Sequence, residues 1–224
     1  MYLLFRFGAC LILLLGLSAA TTACRVRSSP AALQAGIEAL ENHQADKAVK
    51  ILEKVVAAEP ANASACANLG IAYWKTGRTE PAIECFQRAA GLNTEDARPL
   101  EFLADAHRAA GRIEEAREVL TQAYYRQPLS PRILTAMAEL DLHLKGADAA
   151  RLWLRQALAV SPQYLPALYN LGLLHLHWLN EPGPARIYFQ QFAKLAGDDP
   201  RAQSIRKGVL PPRHSGPQAN APAP

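Results

Sequence analysis

The stretch Asn68–Ala90, NLGIAYWKTGRTEPAIECFQRAA, carries two runs of apolar residues at helical spacing. Glycine lies inside the first run, at Gly70, although a glycine in a helix interior costs about 0.5–1 kcal/mol relative to alanine. Ala82 opens the second run, and Gly77 lies between the two. Two positions with little or no side chain indicate that the backbones of two helices approach each other closely there. The stretch therefore predicts an antiparallel pair of helices joined by a turn at Gly77.

The pattern of this stretch recurs along the chain with a period of 34 residues. Small residues hold the position of Gly70 in the other units: Gly36, Ala104, Ala138 and Gly172. The position of Ala82 is held by Ala48, Ala116 and Ala150. Large apolar residues recur four places further on: Leu52, Phe86, Leu120 and Leu154. Repeats of this kind are helical units that bury their apolar faces by stacking on one another.

This pattern resembles the tetratricopeptide repeat, a helix–turn–helix unit of 34 residues. The second unit matches it at Leu69, Gly70, Tyr73, Ala82, Phe86 and Ala89. The resemblance implies an all-α fold, an α-α solenoid of about five repeats wound into a right-handed superhelix. The expected repeats span about 29–62, 63–96, 97–130, 131–164 and 165–199. In the fifth, Ala185 comes one residue late, which indicates an insertion in the turn, and residues 200–207 are expected to form a short closing helix.

The first 24 residues have the layout of a secretory signal peptide, with Arg6, an apolar run and small residues before Cys24. They resemble a bacterial lipoprotein signal, although Thr21 stands where that motif prefers leucine. The resemblance implies a signal peptide at 1–23, a fatty-acylated (palmitate-type) Cys24 and a short tether at 24–28. Ordinary signal-peptidase cleavage and an uncleaved membrane anchor are the alternatives. All three place the rest of the chain outside the cytoplasm. The lipoprotein resemblance implies a lipid anchor in the outer membrane facing the periplasm, and a secreted or periplasmic protein is the alternative.

The last 17 residues, 208–224, contain five prolines and show no hydrophobic periodicity. Such a segment buries too little apolar area to offset the entropy of ordering. We predict a proline-rich disordered tail here, and a docking segment in polyproline conformation is the alternative.

The cysteines and histidines are the chain's candidates for chemistry. Cys66 and Cys85 fall at core positions of the repeat, where buried free cysteine is expected. Because an exported protein meets oxidising conditions, a Cys66–Cys85 disulfide is the alternative. His175 and His177 are two residues apart on a helix, so they point to different sides and cannot share a metal ion. We predict no metal site and no cofactor.

The sequence carries none of the common catalytic motifs, neither a glycine-rich phosphate loop nor a nucleophile elbow nor a metalloprotease motif. We therefore assign no catalytic residues, and we predict that the protein is not an enzyme and takes no small-molecule substrate. The formal net charge of +4 is spread along the chain rather than clustered. This distribution argues against nucleic acid as a partner.

The resemblance also implies a concave groove, lined by the first helix of each repeat at positions two, five, six, nine, twelve and thirteen. On this chain the residues at these positions include the candidate groove residues: Asn68, Trp74, Arg98, Glu101, Asp105, Arg108, Arg132, Glu139, Tyr169 and Asn170. An asparagine amide there can both donate to and accept from a peptide backbone. Leu33 and Ile37 stand where the family's carboxylate clamp has lysine and asparagine, so capture of a free C-terminal carboxylate is not predicted.

These features together predict a non-enzymatic scaffold or adaptor of the bacterial cell envelope that binds a protein or peptide in the groove. The alternative is a dedicated assembly factor for pili or outer-membrane machinery, and an envelope enzyme is the third hypothesis. Tetratricopeptide repeats serve many unrelated processes, so the fold does not choose among them.

Overall fold

The structure of the protein is a computed structural model that describes residues 30–212. Eleven helices and no strand occur within this range, so the predicted all-α solenoid is confirmed. The helices are α1 (Pro30–Glu41), α2 (Ala45–Ala58), α3 (Ala63–Lys75), α4 (Thr79–Leu92), α5 (Arg98–Ala109), α6 (Ile113–Arg126), α7 (Pro131–Leu144), α8 (Ala147–Val160), α9 (Leu165–His177), α10 (Pro182–Leu195) and α11 (Pro200–Arg206).

Consecutive helices pack against each other throughout the array, and each of α1, α3, α5, α7 and α9 forms a pair with the helix that follows it. Further contacts join α1 to α3, α3 to α5 and α7 to α9. These five helices, called the odd-numbered helices below, therefore lie side by side along one face of the solenoid. The even-numbered helices form the layer behind them, and α11 packs against α10 at the C-terminal end.

Gly70 makes room for an aromatic ring on the partner helix. A Cβ atom at Gly70 would lie 2.6 Å from a ring carbon of Phe86, closer than any real Cβ contact. Gly172 has the same relation to Phe189, at 2.5 Å, and Gly36 to Leu52, at 2.6 Å. The sequence predicted a close approach of the two backbones here, and the nearest side chain to Gly70 is that of Phe86. The space that the glycine leaves is filled by the large residue one turn beyond Ala82.

In the third and fourth repeats, the residue at the position of Gly70 is slightly larger and the residue at the position of Phe86 is slightly smaller. Ala104 and Ala138 replace the glycine, and Leu120 and Leu154 replace the phenylalanine. All four side chains are buried. Because protein interiors are packed to nearly crystalline density, glycine with phenylalanine and alanine with leucine are two ways of filling the same space.

The turns within repeats explain the shifted spacing of the last unit. Gly77 and Gly111 have φ of 76°, a conformation that glycine adopts without steric cost. In the fifth repeat Asn180 takes the left-handed conformation, with φ of 53°. The turn there is longer by one residue, so Phe189 follows its glycine by 17 positions whereas Phe86 follows Gly70 by 16.

Cys66 and Cys85 lie in one apolar cluster and are both buried. Both thiols are free in this structure, so the disulfide that the sequence allowed is not formed in it. Burial raises the pKa of each thiol, and for Cys85, which also lies near Cys66, it reaches about 11. Because the thiolate is the reactive form of cysteine, a raised pKa makes both side chains less reactive. We therefore interpret Cys66 and Cys85 as packing residues of the core.

Asp141 is a buried carboxylate that ties three helices together. Arg117 of α6 donates to its Oδ1 at 2.7 Å, and Trp153 of α8 donates to its Oδ2 at 2.8 Å. Burial alone would raise the pKa of the Asp141 carboxyl, but these two hydrogen bonds hold it below its usual value. The same repeat position carries His175, which is buried, stacks on Tyr188 and pairs with Glu181 at 2.7 Å.

The C-terminal end is closed by α11, whose first turn is capped by the Asp199 side chain. The chain then runs back towards α9, where Nε2 of His177 lies 3.0 Å from the carbonyl oxygen of Pro211. The predicted signal peptide, Cys24 with its tether, and residues 213–224 of the predicted tail lie outside the described residues. Within the range 30–212, no helix combines the length and apolar character that crossing a membrane requires.

The contact between Gly70 and Phe86 can be tested by a double-mutant cycle. Gly70→Ala should lower the free energy of unfolding by about 1–2 kcal/mol, because overpacking outweighs the gain in helix propensity. In a Phe86→Leu background the same change should be neutral or stabilising, as the alanine–leucine pairs of two other repeats indicate. Chemical denaturation of the four proteins measures both effects.

Gly91→Ala is the matched control for this cycle, because Gly91 also lies in a helix but a Cβ there meets no atom within 4 Å. It should stabilise the protein by about 0.5–1 kcal/mol in either background. An equal effect of Gly70→Ala in both backgrounds would contradict the packing role assigned to Phe86.

Candidate partner-binding groove

A concavity of about 200 Å³ lies between α3 and α5 on the face formed by the odd-numbered helices. We call it the notch. Its lining comprises Ala63, Ser64, Ala67, Asn68, Ile71, Ala89, Asn93, Asp96, Arg98, Pro99 and Phe102. Six of these residues hold position two, five, six or nine of their repeat, which are positions that the resemblance placed in the groove.

The notch has an apolar floor and a polar rim. Phe102 lines it and stacks on the Phe86 ring, with ring centroids 5.5 Å apart, so the contact at Gly70 supports this floor from below. At the rim, Nδ2 of Asn68 donates to the Ser64 carbonyl oxygen at 2.9 Å. The Arg98 guanidinium is held by Asp96 at 2.8 Å while most of its side chain stays in solvent. A rim of this kind offers hydrogen-bonding groups around a site for one apolar side chain.

Next to the notch, five charged residues of α5 and α7 form what we call the charged cluster: Glu101, Asp105, Arg108, Arg132 and Glu139. The Arg132 guanidinium forms an ion contact with the buried Glu101 carboxylate and lies 5.3 Å from the centre of the Phe102 ring. Arg108 donates to Asp105 at 2.9 Å.

Glu139 is linked to the next repeat through Asn170 of α9, whose Nδ2 donates to its Oε1 at 3.2 Å. The structure therefore brings together most of the groove residues predicted on the third, fourth and fifth repeats.

Burial changes the acidity of the two glutamates in this cluster. It raises the pKa of Glu101, against the lowering effect of Arg132. It also raises the pKa of Glu139, where nearby Arg108 and the Asn170 amide oppose the shift and Asp105 adds to it. Neighbouring cations and hydrogen-bond donors thus only partly offset the cost of ionising these two buried carboxylates. Such perturbed pKa values are common in binding and catalytic sites.

Two predicted groove residues also take part in packing. Trp74 is half-buried and packs against the central apolar cluster. Tyr169 contacts Phe189 and Phe192, and the Arg201 guanidinium of α11 lies 4.8 Å from the centre of its ring. Tyr169 is therefore half-buried, with the closing helix against one side of its ring.

Two models of the tetratricopeptide repeat match the chain, one over residues 39–105 and the other over residues 102–164. Together they span more than half of the 224 residues. The chain belongs to the tetratricopeptide repeat family. No curated protein sequence matches it significantly.

Solved structures share the fold of this tetratricopeptide repeat protein. A structure from a functional characterisation of Pseudomonas aeruginosa PilF has a TM-score of 0.67 and 23% identity, covering 77% of this chain and 78% of that one. A thermophilic tetratricopeptide repeat protein of Thermus thermophilus has a TM-score of 0.65 and 20% identity, with coverage of 80% and 96%. YrrB, described as having an unusual peptide-binding site, has a TM-score of 0.58 and 14% identity, with coverage of 81% and 93%. At such identities the likeness shows the fold.

The notch also contains residues of this tetratricopeptide groove that the candidate set above does not include. Phe102 holds position six of its repeat, and Ala67 holds position five, so the repeat pattern contained the signal for both. Asp96 precedes α5 and holds Arg98, a contact that depends on the local loop geometry. The part of the chain that the structure describes contains no group of three or more metal-ligating side chains.

Glu139→Gln tests the burial of the groove carboxylate. A raised folded-state pKa stabilises the protein below the ordinary glutamate pKa, and this stabilisation is lost as pH rises through the folded value. The glutamine variant, whose Oε1 still accepts from Asn170, should therefore be more stable than wild type at pH 7. The difference in melting temperature should vanish in acid, where both residues are neutral.

The control for this comparison is Glu118→Gln on α6, because Glu118 is exposed. It should leave the melting temperature nearly unchanged at either pH. A Glu139→Gln variant that is less stable than wild type at pH 7 would contradict the environment described for Glu139.

Proposed function

We propose that the protein is a non-enzymatic scaffold or adaptor of the bacterial cell envelope, which binds a protein partner on the face of its odd-numbered helices. The observation that carries this proposal is the notch, where groove positions of two successive repeats converge on one concavity. The notch is smaller than the roughly 300–1,000 Å³ of pockets that enclose drug-sized ligands. A single side chain of a larger partner fits its size better than a free small molecule does.

The dimensions of the solenoid support an extended segment as the part of the partner that binds. Packed helices lie about 8–10 Å apart, so five repeats extend the groove to roughly 50 Å. An extended chain rises about 3.3 Å per residue, which corresponds to a segment of about 10–15 residues. A mixed set of paired charges along the groove suits a polar polypeptide with complementary charges better than a uniformly charged polymer.

The location at the envelope is the part of the proposal that rests on sequence. The first 24 residues support export and attachment through Cys24. Ser29 follows Cys24 by only five residues, which corresponds to about 20 Å at full extension. A lipid-anchored form would therefore hold the repeats close to the membrane, with Arg25 and Arg27 near its headgroups.

A double variant of the notch tests where the partner binds. Asn68→Arg with Arg98→Glu changes two side chains that line the notch, and neither belongs to the core. We expect partner capture from solubilised envelopes to fall about tenfold or more, as for loss of a well-packed contact. Quantitative mass spectrometry of the captured proteins is the measurement, and circular dichroism should show unchanged helix content.

The matched control is Gln87→Arg with Arg155→Glu, which makes the same two kinds of change at exposed positions of α4 and α8. It should capture partners as wild type does. If the notch variant also captures them normally while deletion of 208–224 abolishes capture, the tail is the binding element and the groove is not.

The anchor is tested by Cys24→Ala. We expect loss of metabolic fatty-acid labelling, together with either release of the protein into the soluble fraction or accumulation of its precursor. Wild-type protein that is unlabelled and found in the soluble fraction would contradict attachment to the membrane.

A further inference from the structure

Glu139 differs from the other carboxylates of the groove because no ion pair holds it. Asp96, Glu101 and Asp105 are each paired with an arginine. The ion pairs among residues 30–212 do not include Glu139, whose described partner is the neutral amide of Asn170 at 3.2 Å. A partly buried carboxylate with a single neutral donor retains capacity for a further, charged donor.

The neighbours of Glu139 leave an excess of negative charge. Arg108 of α5 is the cation that lowers the pKa of Glu139, but the Arg108 guanidinium is already bound to Asp105 at 2.9 Å. Three carboxylates face two guanidinium groups within the charged cluster, and Tyr164 at the start of α9 adds no cation. This part of the groove therefore lacks one positive charge.

Glu101, in contrast, already has a charged partner. Its side chain is only 6% exposed, and the Arg132 guanidinium contacts its Oε2 directly. Glu139 is therefore the carboxylate of the charged cluster that retains capacity for a charged donor.

The charged cluster adjoins the notch through a shared residue. Phe102 lines the notch, and the Arg132 guanidinium lies over the Phe102 ring, 5.3 Å from its centre. A partner segment that fills the notch is therefore directed along the groove past Arg132 towards Glu139. The groove offers an apolar site at the notch, followed by an acidic site about one or two helix spacings further on.

We propose that the groove binds an extended protein segment with an apolar side chain in the notch and a lysine or arginine side chain at Glu139. This inference rests on the function proposed above and adds the chemistry of the partner. One or two helix spacings of about 10 Å correspond to about three to six residues of extended chain. The segment thus carries its basic residue about three to six positions away from its apolar residue.

Such a site selects segments with a basic residue because any other segment leaves the Glu139 carboxylate without a charged partner. A segment with a neutral side chain at this position would cover Glu139 and remove it from water without supplying a charge. A segment with an acidic residue would add repulsion from the carboxylates already present. Both penalties discriminate against the wrong partner, in addition to the attraction for the right one.

The experiment selects random 12-residue peptides displayed on phage against the purified wild-type protein. We expect the selected peptides to combine an apolar residue with a lysine or arginine about three to six positions away. In one such peptide, replacing the basic residue by glutamine should weaken binding to wild type about tenfold, and to the Glu139→Gln protein less than about twofold. Glu118→Gln on the exposed side of α6 is the control and should behave as wild type.

The outcomes separate this inference from the function on which it rests. Peptides that bind in the groove without a basic residue, or whose basic residue contributes equally to binding wild type and Glu139→Gln, would overturn the inference and leave the scaffold function standing. If no peptide is selected and the notch variant captures envelope partners as wild type does, both are wrong. Melting curves of Glu139→Gln verify that the variant is folded.

Discussion

The fold and its groove depend on one packing contact, in which the ring of Phe86 occupies the space left by the absent side chain of Gly70. The contact sets the spacing and register of α3 against α4. It also places the Phe86 ring where Phe102 of the next repeat stacks on it. Phe102 in turn forms the floor of the notch and lies beneath Arg132. The cost of a glycine in a helix is thereby offset by packing contacts. These contacts run from Phe86 in the core through Phe102 to Arg132 on the binding face.

Two acidic residues on α7 show how this architecture separates structural from binding groups. Asp141 and Glu139 are two positions apart, so they point to different sides of the helix. Asp141 meets Arg117 and Trp153, and its pKa is lowered despite burial. Glu139 meets only an amide on the groove side, and burial raises its pKa. The first carboxylate is satisfied within the fold, whereas the second is left for a partner.

The repeat period predicted the helical pairs, the insertion before Ala185 and the positions that face the groove, because all three follow from the spacing of residues along the chain. It did not predict side-chain pairing. The contacts of Arg132 with Glu101 and of Asn170 with Glu139 join residues about one repeat apart and depend on the rotamers of long side chains. The period also did not identify Phe86 as the side chain that fills the space at Gly70. At Tyr169 it could not show the contact with Arg201, because the closing helix lies beyond the last repeat.

The central claim is that the odd-numbered helices form the binding face, and photo-crosslinking in living cells tests it most directly. A benzophenone amino acid would be placed at Lys75 or His143, exposed residues at position thirteen of α3 and α7, and separately at Glu84 or Glu118, exposed on α4 and α6. The account predicts that irradiation joins the same partner protein to the first two positions and not to the last two. A partner joined to Glu84 and Glu118 alone would contradict it.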